Sequence, residues 1–216
     1  MDYGTLQTRV LNRLNMSTGD PAAGLVDEYV NEAIHYLETA SPDGWSWMRQ
    51  VITLTTTAAT ETYTFTTIGA IPSPTVTVSK ILSAKILRGT VYIDLNMLSP
   101  ADAVEVYPST TDGVPEAWFV EGSTLYLYPT PDAVYSIVLR VVTAEPDISV
   151  STTSPILPAV FHSAIVDAAC LIYYEQLQDS AKMALLEQKV DRHIHRMQRY
   201  GRQYPSAPRI KVREWL

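Results

Sequence analysis

The sequence predicts an α+β protein: N- and C-terminal helix pairs form a four-helix bundle, with an inserted antiparallel β domain and an extended C-terminal tail. Near both ends of the 216-residue chain, apolar residues recur at three- and four-residue spacing, as they do in amphipathic helices. The middle of the chain holds short runs rich in β-branched residues, separated by Gly, Pro and Asp, which is typical of strands and turns. Because both helix pairs must bury an apolar face, we expect them to pack together. The predicted domains are residues 1–48 with 156–200, residues 49–155, and the tail 201–216.

The N-terminal part contains two predicted helices. The first covers residues 5–16, with Thr5 as its N-cap, and the second covers residues 21–40. Asp20 followed by Pro21 has the residue types favoured at the N-cap and at the first helical position.

The middle of the chain predicts a series of strands. Residues 50–57 and 60–65 are expected to form a hairpin through a turn at 58–60, and residues 113–121 and 124–128 a second hairpin through Gly122 and Ser123. A longer strand over 133–143 has apolar residues on both faces, which indicates either that it is central or that the sheet packs on two sides. The remaining predicted elements are one or two strands within 75–87, a strand over 90–95 after a turn at Arg88 and Gly89, and a short helix over 99–106 capped by Ser99.

Two further helices follow a turn-rich segment. The first covers residues 158–177, and the second begins after Asp179, which is placed as its N-cap. Gly201 has the residue type favoured just after a helix end, so the second helix is predicted to end at Tyr200 and the tail to begin at Gly201.

Charge is divided unevenly along the chain. The net charge is −7, yet residues 182–216 carry nine Lys and Arg against three carboxylates, a net +6, while the preceding 181 residues carry seven against 20, a net −13. Opposite charge at the two ends favours oriented docking. A basic end is also compatible with a nucleic-acid-binding module that uses the last helix and the tail, and that alternative stays open.

The residue patterns of enzymes and cofactor sites are missing from the sequence. HExxH, GxSxG and Gly-rich phosphate-loop motifs do not occur, and His193 and His195 are two apart on a helix, where they cannot form a metal pair. Cys170 lies among apolar helical residues and is expected to be an inert core thiol. We therefore expect no enzyme, no cofactor and no metal. The longest apolar runs, of about eight residues, are too short to cross a membrane, and the N-terminus has no signal-peptide pattern.

Several short motifs resemble those of a known family. They are the segment Gly113-Val-Pro-Glu-Ala-Trp-Phe-Val-Glu-Gly-Ser-Thr-Leu-Tyr-Leu-Tyr-Pro-Thr-Pro131 with Tyr135-Ser-Ile-Val-Leu-Arg140, the segment Val26-Asp-Glu-Tyr-Val-Asn-Glu-Ala-Ile34, Trp45-Ser-Trp47, and Leu157-Pro-Ala-Val-Phe161. Together they resemble the head-to-tail adaptor (connector) proteins of tailed bacteriophages, particularly those of short-tailed phages. The resemblance implies a helical bundle with an inserted β domain and no catalysis.

The same resemblance implies a place in the virion neck. There, a homo-oligomeric ring, usually of twelve copies, lies below the portal protein, extends the channel for the packaged DNA without reading its sequence, and offers a docking surface to a tail or nozzle protein. A C-terminal extension commonly reaches the portal, and the tail of this chain matches that role by position and character. The tail residues expected to contact the portal are Arg202, Tyr204, Arg209, Ile210, Lys211, Val212, Arg213, Trp215 and Leu216.

The tail and the hairpin each leave another interpretation open. Pro205 and Pro208 keep the tail extended, and alternating apolar and basic residues after Pro208 suit a strand added to a partner's sheet. A disordered, solubilising tail is the alternative. The hairpin residues Trp118, Tyr126 and Tyr128 could instead form a platform that binds a carbohydrate or a host surface.

Overall fold

The structure is a computed structural model, and it describes residues 1–17, 20, 24–102 and 112–203. The chain divides into two compact units. One unit is Met1–Trp47 with Asp147–Leu216, and the other is Met48–Pro146. The first unit is built from helices and the second mainly from antiparallel strands, so the predicted α+β class is confirmed.

The helices differ in length and in how much of their surface is buried. In chain order they are α1 (Tyr3–Leu14), α2 (Val26–Thr39), α3 (Phe65–Gly69), α4 (His162–Gln176) and α5 (Ser180–Gln203). Every residue of α4 from Ala164 to Leu171 is buried, which is the pattern of a helix surrounded by other elements. In the helical unit, α1, α2 and α5 all pack against α4. The core of this unit is therefore organised around α4.

The start of α1 differs from the sequence prediction. The N-cap is Asp2, whose carboxylate accepts a hydrogen bond from the backbone N–H of Thr5 at 2.8 Å, so the prediction of Thr5 as cap is wrong. A side chain caps a helix by accepting from an N–H two or three residues later, and Asp2 fits that rule with Tyr3 already helical.

The start of α2 also lies later than expected. Asp20 accepts a hydrogen bond from the backbone N–H of Ser17 at 2.6 Å, so it closes a local turn, and α2 begins at Val26 without a side-chain cap. Pro21, which was expected at the first helical position, lies outside the described residues.

The start of α5 is as predicted, but its end is not. Asp179 caps the helix, with its Oδ1 accepting from the backbone N–H of Lys182 at 3.2 Å. The helix continues past Gly201 to Gln203, so the prediction that Gly201 ends the helix is wrong. A Cβ added to Gly201 would lie 3.6 Å from Ser46 Oγ, an ordinary contact. Neither backbone conformation nor crowding therefore requires glycine there.

The β unit contains ten described strands. They are β1 (Arg49–Thr55), β2 (Thr62–Thr64), β3 (Thr77–Arg88), β4 (Val91–Asp94), β5 (Asn96–Met97), β6 (Asp112–Gly113), β7 (Ala117–Glu121), β8 (Thr124–Tyr128), β9 (Thr130–Pro131) and β10 (Ser136–Ala144). The first sheet has the order β1-β10-β3-β4 and the second β2-β8-β7-β5, while β6 and β9 form a separate pair. Pairing is antiparallel except between β5 and β7 and between β6 and β9.

Side chains from both four-stranded sheets meet in one hydrophobic core. Ile52 and Leu139 of the first sheet belong to the same buried cluster as Trp118, Leu125 and Leu127 of the second. The longest predicted strand is β10, and it lies between β1 and β3, which is one of the two arrangements that the apolar residues on both its faces indicated.

Two of the three predicted hairpin turns are confirmed. Gly89 and Gly122 have φ values of +63° and +59°, the left-handed conformation that glycine adopts without strain, and they join β3 to β4 and β7 to β8. The hairpin predicted at 58–60 is wrong, because β1 pairs with β10 while β2 pairs with β8 in the other sheet.

The predicted short helix over 99–106 falls only partly within the described residues. Residues 100–102 are helical, and the backbone N–H of Asp102 donates to Ser99 Oγ at 3.2 Å, as expected of a cap. Residues 103–106 lie outside the described part of the chain.

Candidate interaction site

Most residues of the predicted portal-docking tail lie outside the structure's description. Arg202 is in the last turn of α5, where only its backbone is described. The other eight, Tyr204, Arg209, Ile210, Lys211, Val212, Arg213, Trp215 and Leu216, follow the last described residue. What the structure does show is how the end of α5, from which this segment departs, is held in the helical unit.

An aromatic cluster packs against the last turns of α5. Tyr200 meets the edge of Phe161 at a ring-centroid distance of 5.3 Å and that of Trp47 at 6.1 Å. Trp47 in turn stacks on Trp45 at 5.1 Å with nearly parallel rings. Such offset and edge-to-face contacts add to the stabilisation from burial alone. The cluster, defined as Trp45, Trp47, Phe161 and Tyr200, therefore fixes the direction in which α5 ends.

The cluster is itself anchored to α2. The indole N–H of Trp45 donates to the backbone carbonyl of Leu37 at 2.8 Å, and the Trp45 side chain is buried. A buried indole needs such an acceptor. The tryptophans that follow α2 thus cover an edge of the helical core. Through their ring contacts they also fix the end of α5 relative to α2.

A buried carboxylate joins three helices of the same unit. Asp167 of α4 accepts from Arg13 of α1 through Oδ1, and its Oδ2 lies 3.1 Å from His193 Nε2 of α5. The side chain of Asp167 is only 6% exposed. Because both oxygens have partners, the charge is compensated where it is buried, and the three side chains set the register of α1, α4 and α5.

Sequence reasoning missed this polar cluster, although a signal was available. Asp167 is the only charged residue in the run from Ala164 to Leu171, and a carboxylate inside such an apolar run needs a partner from another element. The sequence suggested for His193 only a metal site shared with His195. That site is excluded because the two side chains lie on different faces of the helix.

Polar side chains of α2 also hold the chain where it enters the helical unit at Asp147. The Asn31 amide accepts from Ile148 N at 2.9 Å and donates to Ile148 O at 3.2 Å, as a neighbouring strand would. His35 Nε2 lies 2.8 Å from Asp147 Oδ1. This hydrogen bond, aided by Glu38 and opposed by partial burial, raises the pKa of His35 above its usual value.

Two other titratable groups of the helical unit are buried. His162 places Nε2 2.8 Å from the carbonyl of Leu157, and burial lowers the pKa of His162, so the ring is neutral and donates from Nε2. Burial raises the pKa of the Cys170 thiol to about 11, which leaves no thiolate near neutral pH. Cys170 is thus the inert core thiol that the sequence indicated.

The aromatic residues of the β7–β8 hairpin do not form the open platform considered above. Trp118 is 1% exposed and belongs to the core between the sheets, so it cannot stack on a sugar. Tyr126 and Tyr128 lie against Phe119, with ring centroids 4.6 and 5.6 Å away. The interpretation of Trp118 as a platform residue is wrong, because both faces of β7 are covered.

Comparison with known families decides the class of the protein. A family model described as SU10 adaptor protein matches residues 1–211. The chain belongs to the SU10 adaptor protein family. No curated protein matches it. Membership confirms the sequence's resemblance to the head-to-tail adaptors of short-tailed phages, and an adaptor is a structural protein, so membership indicates a non-enzymatic role.

Two further observations bear on this SU10 adaptor family member. Within the described residues, no helix has both the length and the apolar character that crossing a bilayer requires. In the same part of the chain, no three His, Cys, Asp or Glu side chains come together as a metal-binding group.

Proposed function

We propose that the chain is a structural protein of the virion neck, where a ring of identical copies connects the portal to the tail. The ring has twelve copies by analogy with the adaptor family. It extends the channel for the packaged DNA, which passes through without sequence recognition, and it provides the surface on which a tail or nozzle protein docks. The observation that carries this proposal is the match of the family model to residues 1–211.

The architecture supports the proposal. In our interpretation α1, α2, α4 and α5 form a four-helix bundle into which the β unit is inserted. A bundle gives a ring subunit rigid lateral faces, and an inserted sheet unit is free to carry a separate docking surface. The two units, Met1–Trp47 with Asp147–Leu216 and Met48–Pro146, are each compact and can therefore have different partners.

The C-terminal segment is the proposed contact with the portal. The aromatic cluster holds the end of α5, the helix that directly precedes the proposed contact segment in the sequence. Trp215 and Leu216 supply apolar anchors, and Arg209, Lys211 and Arg213 supply positive charge. An anchored aromatic residue with flanking basic residues is a common composition of interface hot spots.

Removal of residues 204–216 tests the tail. We expect the described helices to stay folded in circular dichroism, because the deletion removes none of their residues, and we expect loss of portal capture in a pull-down. Trp215→Ala alone is expected to weaken docking by about 2 kcal/mol, roughly 30-fold, as for a buried anchor. Ser206→Ala in the same segment is the matched control and should bind normally. Undiminished capture by the truncated chain would refute the role of the tail.

Nucleic-acid binding is the second candidate, because α5 exposes Arg192, Arg196 and Arg199. A phosphate-binding surface of this kind predicts affinity for DNA of any sequence, with a steep loss as salt increases. Fluorescence anisotropy with a duplex at low salt decides it: no binding at 50 mM salt would remove this candidate and leave the structural role unaffected.

A further inference from the structure

The helical unit presents two exposed helix faces of opposite charge. On α2, the acidic face consists of Leu25, Glu28, Glu32 and Tyr36, which follow one another at three- and four-residue spacing and are all exposed. On α5, the basic face consists of Leu185, Arg192, Arg196 and Arg199, which are exposed and share one side of that helix. Residues at such spacing lie on a common side of a helix.

The charge of each helix is strongly biased. α2 carries four carboxylates and no Lys or Arg, while α5 carries six Lys and Arg against two carboxylates. The inner residues of α5, among them Leu186, Val190 and Met197, are buried. The biased charge thus lies on surfaces that the fold of a single copy leaves uncovered.

The two faces cannot neutralise each other within one copy. α2 and α5 each pack on α4 and pack far less on each other, so they lie on different sides of α4. Their exposed faces point away from the buried side of each helix. A second molecule is therefore needed to bring the acidic face of α2 against the basic face of α5.

We infer that the acidic face of one copy binds the basic face of the next copy, and that this contact closes the ring. The inference rests on the proposed function and names the surfaces that build the ring. Two acidic faces repel each other, as do two basic ones, so neither face can pair with its own copy across a two-fold axis. Because the two faces lie on different sides of α4, the contact of an acidic with a basic face uses one face of each copy. It joins two different surfaces head to tail, which is the type of contact that generates rings.

The side chains suit a protein interface better than a solvated surface. The three charges on the basic face are all arginines, whose planar guanidinium groups bind carboxylates through two hydrogen bonds and stack on aromatic rings. The acidic face offers Glu28 and Glu32 together with the exposed ring of Tyr36. Leu25 and Leu185 add apolar contact area beside the charges, and Arg and Tyr are enriched in interfaces.

Charge reversal on each face tests the inference on the full chain. Variant one carries Glu28→Lys and Glu32→Lys, and variant two carries Arg192→Glu and Arg196→Glu. All the introduced residues favour helices, so circular dichroism should be unchanged. Native mass spectrometry and electron microscopy then count the copies that assemble with the phage portal protein. We expect each variant alone to give no closed ring, because every contact in it sets like charges together.

Recombining the reversed faces gives the decisive result. An equimolar mixture of the two variants is expected to form rings in which the variants alternate in a 1:1 ratio. A single chain with all four substitutions should form rings by itself, since its faces are again complementary. The control Asp112→Lys with Glu121→Lys, which reverses two exposed carboxylates of the β unit, should assemble like the wild type.

Three other outcomes would each contradict either the pairing of the two faces or the proposed ring function. If wild-type chains form rings and the single-face variants do so equally well, the faces do not pair and the inference is wrong, while the ring function stands. The pairing is also wrong if neither the mixture nor the four-fold variant restores rings. If the wild-type chain forms no ring with its portal, the proposed function fails and the inference with it.

Discussion

The carboxylate of Asp167 is buried in α4 and is shared by side chains of α1 and α5. Its partners differ in their access to water: Arg13 is 44% exposed, while His193 is 15% exposed. Without the carboxylate, the guanidinium of Arg13 would be free to turn towards solvent. The imidazole of His193 would not, because it is largely buried. Asp167 is therefore more important for the packing of α5 than for that of α1.

Asp167→Asn is expected to lower the free energy of unfolding by about 2 kcal/mol. Breaking a fully buried pair costs about 3–5 kcal/mol, and the exposure of Arg13 reduces that cost. Urea denaturation measures the change. Asp191→Asn, an exposed position on α5, is the control and should leave stability within about 0.5 kcal/mol of the wild type. Equal stability of Asp167→Asn and Asp191→Asn would show that the buried contact has no structural role.

His35 makes the stability of the helical unit depend on pH. Its pKa is raised in the folded state, chiefly by the hydrogen bond to Asp147, so folding favours the protonated ring. The stabilisation is complete below about pH 6.5, the unfolded value, and is lost as pH rises through the folded pKa. His162 acts in the opposite direction, because burial lowers its pKa, and its contribution is lost as pH falls below about 6.5.

Comparison of the wild type with His35→Gln isolates the first effect. The difference in unfolding free energy between them should be largest below about pH 6.5 and should shrink as pH rises above that value. Chemical denaturation at a series of pH values measures it, and His162 contributes equally to both proteins. A difference that stays constant across this range would contradict the role assigned to the His35–Asp147 contact.

At the scale of elements, the end of α5 is determined by its neighbours. Tyr200, the residue before Gly201, contacts Phe161 and Trp47, and these contacts hold the last turn of α5, in which Gly201 lies. Glycine disfavours the interior of a helix by only about 1 kcal/mol. The aromatic contacts outweigh that preference.

Trp47→Ala is expected to destabilise the last turns of α5. The ring is partly exposed, so the global cost should be about 2 kcal/mol, less than for a fully buried tryptophan. Hydrogen exchange of the backbone amides of residues 197–203 should become faster. Trp47→Phe keeps an aromatic ring facing Tyr200 and serves as the control. If exchange in this segment stays at the wild-type rate in Trp47→Ala, the cluster does not hold the helix end.

The elements that were predictable are those fixed by neighbouring residues. Gly122 in a two-residue turn specified the β7–β8 hairpin, and Asp179 specified the start of α5. The hairpin predicted at residues 58–60 was wrong because each strand pairs with a segment that is distant in the sequence. β1 pairs with β10, and β2 pairs with β8. The buried state of Trp118 likewise depends on two sheets meeting, which local sequence does not encode.

At the scale of the whole molecule, family and fold class followed from the sequence, whereas the interaction surfaces did not. The charge division was visible in the sequence, but it was assigned to the two ends of the chain. In the structure, part of it lies on the outer faces of α2 and α5, two helices separated by α4. Recognising these faces required knowing which sides of each helix are buried.

Assembly with the portal is the most direct test of the central claim. The wild-type chain, mixed with the portal protein of its phage and imaged by electron microscopy, should give class averages with a closed twelve-fold ring on the portal and a continuous central channel. Persistent monomers, with portals that carry no added density, would contradict the account.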